Sequence, residues 1–350
     1  MPKTSNIPPK RNNFLLGHKE AEAVFLNSWK NGSLHNSWLL CGEKGIGKAT
    51  FAYKIIKFLL SVDEEKKEKY ISVDIDTSNP VIFQIEEGSC YNLKVIECDY
   101  VDEDKRKIIK AIRDGNPLGD DDLENLRKSS VIKVDEVRTI NEFMAKKTYD
   151  NNWKIVLIDS VDDMNLNSAN ALLKILEEPP AKSIFILISH NPNKLLPTIK
   201  SRCNRLNLSP LQENEIASLL RRYRPDLGES EIKKIASVCD GSIGKALVYV
   251  DADILKYYDM LNRIIYSGKN FKISDMLEFV DMAVQDDQSW ELSQDVIIKL
   301  LSENIKSGEN VEELIEIWQD SVRMFEDTQR INMDRKNTLI TIIYRICNVF

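Results

Sequence analysis

The chain has 350 residues, 43% of them hydrophobic and 29% charged, with a formal net charge of −7. That length predicts about two to three domains and a core large enough to fold without a disulfide or metal staple. The composition excludes a disordered tail, a collagenous rod and a membrane span, since apolar runs such as Ile184–Ile188 fall far short of the roughly 18 residues a bilayer crossing needs. The opening residues, MPKTSNIPPKRNN, lack the apolar stretch of a secretory signal, so a cytoplasmic location is expected.

Along the chain, Trp38–Cys41 reads as a short apolar strand running into glycines. Beyond them Phe51, Ile55 and Leu59 recur at helical spacing. Residues 61–130 read as a charged insertion with weak core content: Asp63–Lys69 is an unbroken run of charge, and Gly115-Asn116-Pro117 and Gly119-Asp120-Asp121-Asp122 break any periodicity. Asp135 is the expected N-cap of a helix over Glu136–Tyr149. Ile155–Ile158 is a strand, Ala169–Leu176 a helix that Pro179-Pro180 must stop, Ile184–Ile188 a strand and Leu206–Leu208 a shorter one. Apolar strands separated by helices predict an α/β domain with a parallel sheet covered on both faces. After Ser209 the strands vanish: Glu213–Tyr223, Glu229–Cys239 and Ile243–Val250 read as short helices, and 253–350 as a further all-helical segment. The expected domains are 1–208, 209–252 and 253–350.

Gly42-Glu43-Lys44-Gly45-Ile46-Gly47-Lys48-Ala49 fits the phosphate-loop pattern G-x-x-x-x-G-K, without the Ser or Thr that should follow. Gly42, Gly45 and Gly47 let backbone N–H groups turn inward around phosphate oxygens, and Lys48 reaches the terminal phosphates. Ala49 supplies no hydroxyl to a Mg²⁺ ion, and Thr50, one residue late on a helix, is rotated by about 100°. The bland alternative is a glycine-rich strand-to-helix turn, against which stand the strand before it and the amphipathic helix after it. Asp159, at the tip of the Ile155–Ile158 strand, falls where open α/β sheets place their ligand groups, while Ser160 stands where a water-orienting Glu is usual. Asp162 and Asp163, two and three residues beyond Ser160, are expected to point elsewhere.

Asn170-Ala171-Leu172-Leu173-Lys174-Ile175-Leu176-Glu177-Glu178-Pro179-Pro180, Leu195–Ile199 and Ser201-Arg202-Cys203 carry a resemblance. In them the chain resembles the clamp-loader branch of the AAA+ ATPases, and within it the delta-prime subunits of bacterial DNA polymerase III. The resemblance is strong over 12–60 and 131–250. It implies an AAA+ P-loop domain, a small helical lid and an all-α collar that closes a hetero-pentameric ring with gamma/tau and delta subunits. The ring would load a sliding clamp onto primed DNA, as part of a polymerase holoenzyme with nucleotidyltransferase activity. It implies that Arg202 projects into a neighbour's ATP site as an arginine finger, that Ser189 stands where relatives place a γ-phosphate sensor, and that Lys245 replaces the lid arginine. Leu16-Gly17-His18 resembles the segment lining the adenine pocket. Ala49, Ser160 and Lys245 together imply a subunit that holds ATP or ADP without hydrolysing it and without a full Mg²⁺ site. An ATP-hydrolysing gamma/tau-like motor is the alternative; a P-loop kinase fits the loop but not Asn170–Pro180.

Six cysteines (41, 90, 98, 203, 239, 347) form no C-x-x-C pair. The family's zinc module would have only Cys90 and Cys98 here, so zinc is not expected. Residues 251–350 hold 11 Lys and Arg against 19 Asp and Glu, which suits a protein-facing or solvated helical surface better than a phosphate track. Arg221, Arg222 and Arg224 are expected to be solvated rather than to follow DNA.

Overall fold

The computed structural model describes residues 7–116, 118–119, 122, 126–146, 152–308 and 310–350. The chain divides after Leu211 into two compact units.

The first unit is built on a five-stranded sheet of β1 (Ser37–Cys41), β2 (Leu93–Glu97), β3 (Lys154–Asp159), β4 (Ser183–Ser189) and β5 (Asn204–Asn207). Its order is β2-β3-β4-β1-β5 and every pairing is parallel. β1 and β4 are buried along their whole length. Such strands read as continuous apolar runs because both faces are covered, and successive side chains then serve opposite cores. Leu40, Ile155, Leu157, Ile184 and Ile186 join α1 (Lys19–Lys30) and α2 (Lys48–Ser61) through Phe25, Phe51 and Ile55. On the other face Leu39, Val156, Ile158, Phe185 and Leu187 meet Val137, Ile140, Leu172 and Ile175, after α3 (Pro80–Glu86) and α4 (Asp102–Arg113), from α5 (Val134–Ala145) and α6 (Leu166–Glu177). A four-residue turn, α7 (Pro197–Lys200), precedes β5.

The region 61–130 is more than a surface insertion. It supplies β2, which pairs with β3 from Leu93↔Ile155 to Glu97↔Asp159, and it sends Val73, Ile85 and Cys90 into the core. β2 is an edge strand: Leu93 and Val95 face one core and Ile96 the other, with Lys94 and Glu97 between and beyond. Its alternation is short and set among charges, which hid it. Asp135 is not an N-cap either. α5 starts at Val134 behind Lys133, and Asp135 lies in the first turn, where a carboxylate favours the positive helix end. That helix ends at Ala145; residues 147–149 of the expected span lie outside the described residues, as do 117, 120 and 121. The last strand is displaced from 206–208 to Asn204–Asn207, though Leu208 N still donates to Cys41 O at 2.8 Å.

The second unit has no strand among its described residues and consists of helices and their connections: α8 (Glu213–Tyr223), α9 (Glu229–Val238), α10 (Ile243–Asp251), α11 (Ile254–Ile265), α12 (Ile273–Ala283), α13 (Asp287–Ser307), α14 (Val311–Ile331) and α15 (Arg335–Val349). No described helix is long and apolar enough to cross a membrane.

Candidate nucleotide site and interface arginine

The turn from β1 into α2 forms the loop the pattern predicts. Gly42, Gly45 and Gly47 have φ of 151°, 82° and 104°, values that L side chains rarely adopt. At Gly42 the requirement is also spatial, since a Cβ there would lie 2.4 Å from Leu208 O. His18 ties the 16–18 segment to the loop through Nε2, 2.8 Å from Ile46 O. Lys48 is buried and donates from Nζ to Gly42 O at 2.7 Å and to Glu43 O. Burial lowers its ammonium pKa to about 8 against the pull of Asp159 and Asp162. Its charge therefore sits inside the cradle, held by the loop's own carbonyls, which suits exchange for a phosphate.

The C-terminal tips of the strands face this loop in register: Glu97 beside Asp159, and Ser189 beside Cys41. Burial, with the Glu97 carboxylate next to it, raises Asp159 to about 6. Glu97 in turn accepts from Lys128 Nζ at 2.6 Å.

The donor set does not fit Mg²⁺ as a phosphate loop ordinarily holds it. The Ala49 methyl packs against the core, Thr50 is buried, and Ser160 Oγ donates to Asp163 Oδ2 at 3.0 Å. Among the described residues no group of three His, Cys, Asp or Glu side chains is placed to hold a metal ion. Cys90 belongs to one sheet-face core and Cys98 packs against the other, so the two thiols cannot share a metal.

The expectation that Asp162 points away from the site is corrected. Its carboxylate accepts from Ser189 Oγ at 2.9 Å, from Asn191 N at 3.2 Å and from His190 N. It thus fastens the turn after β3 to the tip of β4, a role hidden in sequence because it depends on the neighbouring strand. Glu97 was missed for the same reason as β2.

Arg202 is about a third exposed. Its guanidinium donates to Glu177 Oε1 at 2.6 Å and to Thr198 O at 3.0 Å. The two motif segments behind the resemblance therefore meet: the Glu177-Glu178-Pro179-Pro180 end of α6 holds the arginine of Ser201-Arg202-Cys203. Lys245 belongs to the second unit, where Nζ lies 3.3 Å from Asp295 and 3.5 Å from Asp240 and stands over the Tyr249 ring. Arg221 pairs with Glu229 at 2.7 Å, and Arg224 with Asp226 and Asp251.

The family model described as "DNA polymerase III, delta subunit" matches residues 17–212. The chain belongs to that clamp-loader family. It is 30% identical over 237 residues to the DNA polymerase III gamma subunit of Buchnera aphidicola from Acyrthosiphon pisum, covering 67% of this chain and 56% of that protein. It is 40% identical over 122 residues to the delta′ subunit of Pseudomonas aeruginosa, covering 34% of this chain and 37% of that protein. The chain thus spans about half the length of the first relative and about a third of the second. A DNA polymerase III gamma subunit-related protein of Thermotoga maritima is alike in structure at 19% identity and a TM-score of 0.47, over 93% of this chain and 98% of that one.

Proposed function

We propose that this chain is a delta-prime-type arm of a DNA polymerase III clamp loader, which holds ATP or ADP without turning it over and completes a neighbour's ATPase site with Arg202. The observation that carries the reading is the spent donor set: Ala49 packs on the core and Ser160 is bonded to Asp163, while the glycine cradle and Lys48 are intact. Binding and hydrolysis are thereby separated. Gly42, Gly45, Gly47 and Lys48 would hold the phosphates, with Asp159 facing them; nucleotide is the group that fits here, and Mg²⁺ and zinc are not.

Arg202 suits its proposed role chemically. A guanidinium is always charged and binds in two-pronged fashion, matching charge spread over a transferring phosphoryl group. Its ion pair with Glu177 is half open to solvent, and such pairs are worth only about 0–1 kcal/mol, so a triphosphate displaces it cheaply. The partners implied are gamma/tau and delta subunits in a hetero-pentameric ring, acting in the cytoplasm on a sliding clamp and primed DNA.

A second reading, a gamma/tau-like motor, draws on the intact Lys48 and Asp159 and on the longer gamma match. Turnover of Mg²⁺-ATP by the purified chain with primed DNA separates the two. The arm shows none; a turnover abolished by Lys48→Ala establishes the motor.

A further inference from the structure

At the strand tips, Glu97 and its partner Lys128 enter neither reading. Glu97 ends β2 in register with Asp159, and Lys128 Nζ donates to its Oε2 at 2.6 Å. Backbone pairing fixes where the lysine begins. Val101 N donates to Arg127 O at 2.9 Å and Ser129 N to Asp99 O at 2.7 Å, on either side of an antiparallel bridge between Tyr100 and Lys128. The side chain then runs over the Tyr100 ring, with Nζ 5.7 Å from its centroid. It is 45% exposed, so a ligand can reach it, and Glu97 takes one of the three donors an ammonium carries. The Asp159 carboxylate lies within electrostatic reach of two ammonium groups, Lys48 from the loop and Lys128 from the β2 side of the sheet. With Ala49 in place of a hydroxyl and Ser160 bonded to Asp163, neither residue helps these carboxylates to hold Mg²⁺. Phosphates that enter the loop therefore face Glu97 and Asp159 with no metal between like charges, and Lys128 is the cation placed to offset the repulsion.

We propose that the Lys128 ammonium stands in for the metal ion, so that this chain binds a nucleoside triphosphate free of Mg²⁺, with Lys48 at the loop end of the phosphates and Lys128 at the β2 end. The proposal rests on the reading that the loop holds nucleotide. Neighbouring strands lie about 4.8 Å apart, so the order β2-β3-β4-β1 sets the tip of β2 about 14 Å from that of β1. That span suits a triphosphate reaching from the loop better than a diphosphate. An ammonium is a compact point charge with rotatable donors, and here it can bond a phosphate oxygen while Glu97 keeps hold of it. It also opposes a second cation. Mg²⁺ carried in on the nucleotide would meet Lys128 as a like charge, so the metal-free nucleotide is the favoured form.

The test is calorimetric titration of the full chain with ATP, once in EDTA and once in excess Mg²⁺. The wild type is expected to bind ATP at least as tightly in EDTA as in Mg²⁺. Lys128→Ala should weaken binding in EDTA by about tenfold, the usual effect of losing a hydrogen bond to a charged group. Mg²⁺ should restore part of that loss, because Glu97 and Asp159 are then bare carboxylates open to a metal. Lys128→Arg, which keeps the charge, should stay within about threefold of the wild type. Clearly tighter binding by the wild type in Mg²⁺ than in EDTA overturns the proposal. A Lys128→Ala loss that Mg²⁺ leaves untouched also overturns it, since the lysine then only supports the fold around Glu97. ATP binding that Lys48→Ala abolishes but Lys128→Ala leaves intact overturns this inference alone. No ATP binding by the wild type in either buffer overturns the nucleotide-holding reading with it.

Discussion

At Asp159 the protein places an ionised carboxylate where its surroundings oppose the charge. Burial and Glu97 raise it to about 6 from an ordinary 3.8, so at neutral pH the folded state bears a penalty that the unfolded state does not. The native state binds the extra proton between these values, so this penalty fades as pH falls through 6 toward 3.8. Asp159→Asn should therefore stabilise the isolated chain by up to about 3 kcal/mol near pH 7.5, with the gain falling away toward pH 4, as read by urea unfolding across pH. The phosphate-loop glycines, Lys48, Asp159 and Arg202 are legible in sequence because each sits in a contiguous pattern with a local reason. Asp162 is not. Its contacts come from the turn after β3 folding back onto the tip of β4, which is not written near that residue.

Among the elements, α6 and β2 show the contrast most clearly. Asn165 accepts from Ser168 N at 2.9 Å, and Ser168 Oγ donates to Ile132 O at 2.7 Å, so the start of α6 is capped and then bolted to the segment before α5. Asn165→Ala should cost about 1 kcal/mol in denaturant unfolding, the usual effect of losing an N-cap. Its helical period and the stopping prolines made α6 readable from sequence, while β2 was lost among charges. Ile96 decides the standing of β2: it is buried against the core of α5 and α6. Ile96→Ala should destabilise by about 2–4 kcal/mol, as for a core residue, where a surface insertion would give less than about 0.5.

Over the whole molecule, charge and pairing set what each unit can do. Arg221 is about half exposed and paired with Glu229, whereas Arg224 is not solvated as expected: its side chain is only 18% exposed and is held by Asp226 and Asp251. Lys245 belongs to the helical unit. In sequence it stands at the lid arginine's place, and in the fold its ammonium is shared between Asp240 and Asp295, two carboxylates of its own unit. Lys245→Ala is expected to leave ADP affinity within about twofold while lowering the unfolding midpoint of the helical unit, since the ion pairs with Asp240 and Asp295 and the contact with the Tyr249 ring are lost. In the proposed function the loop and the strand tips hold a nucleotide, and the arginine that meets α6 at Glu177 acts on a neighbour's ATP. Single-turnover ATP hydrolysis by reconstituted loader, with clamp and primed DNA, compares wild type with Arg202→Ala and Arg202→Lys. Assembly should remain intact and nucleotide binding by this chain unchanged. Hydrolysis at the adjoining site should fall by as much as about 10³–10⁵, with a smaller loss in total turnover and no rescue by lysine. Undiminished hydrolysis at that site in an intact assembly would contradict it and leave Arg202 a surface residue paired with Glu177.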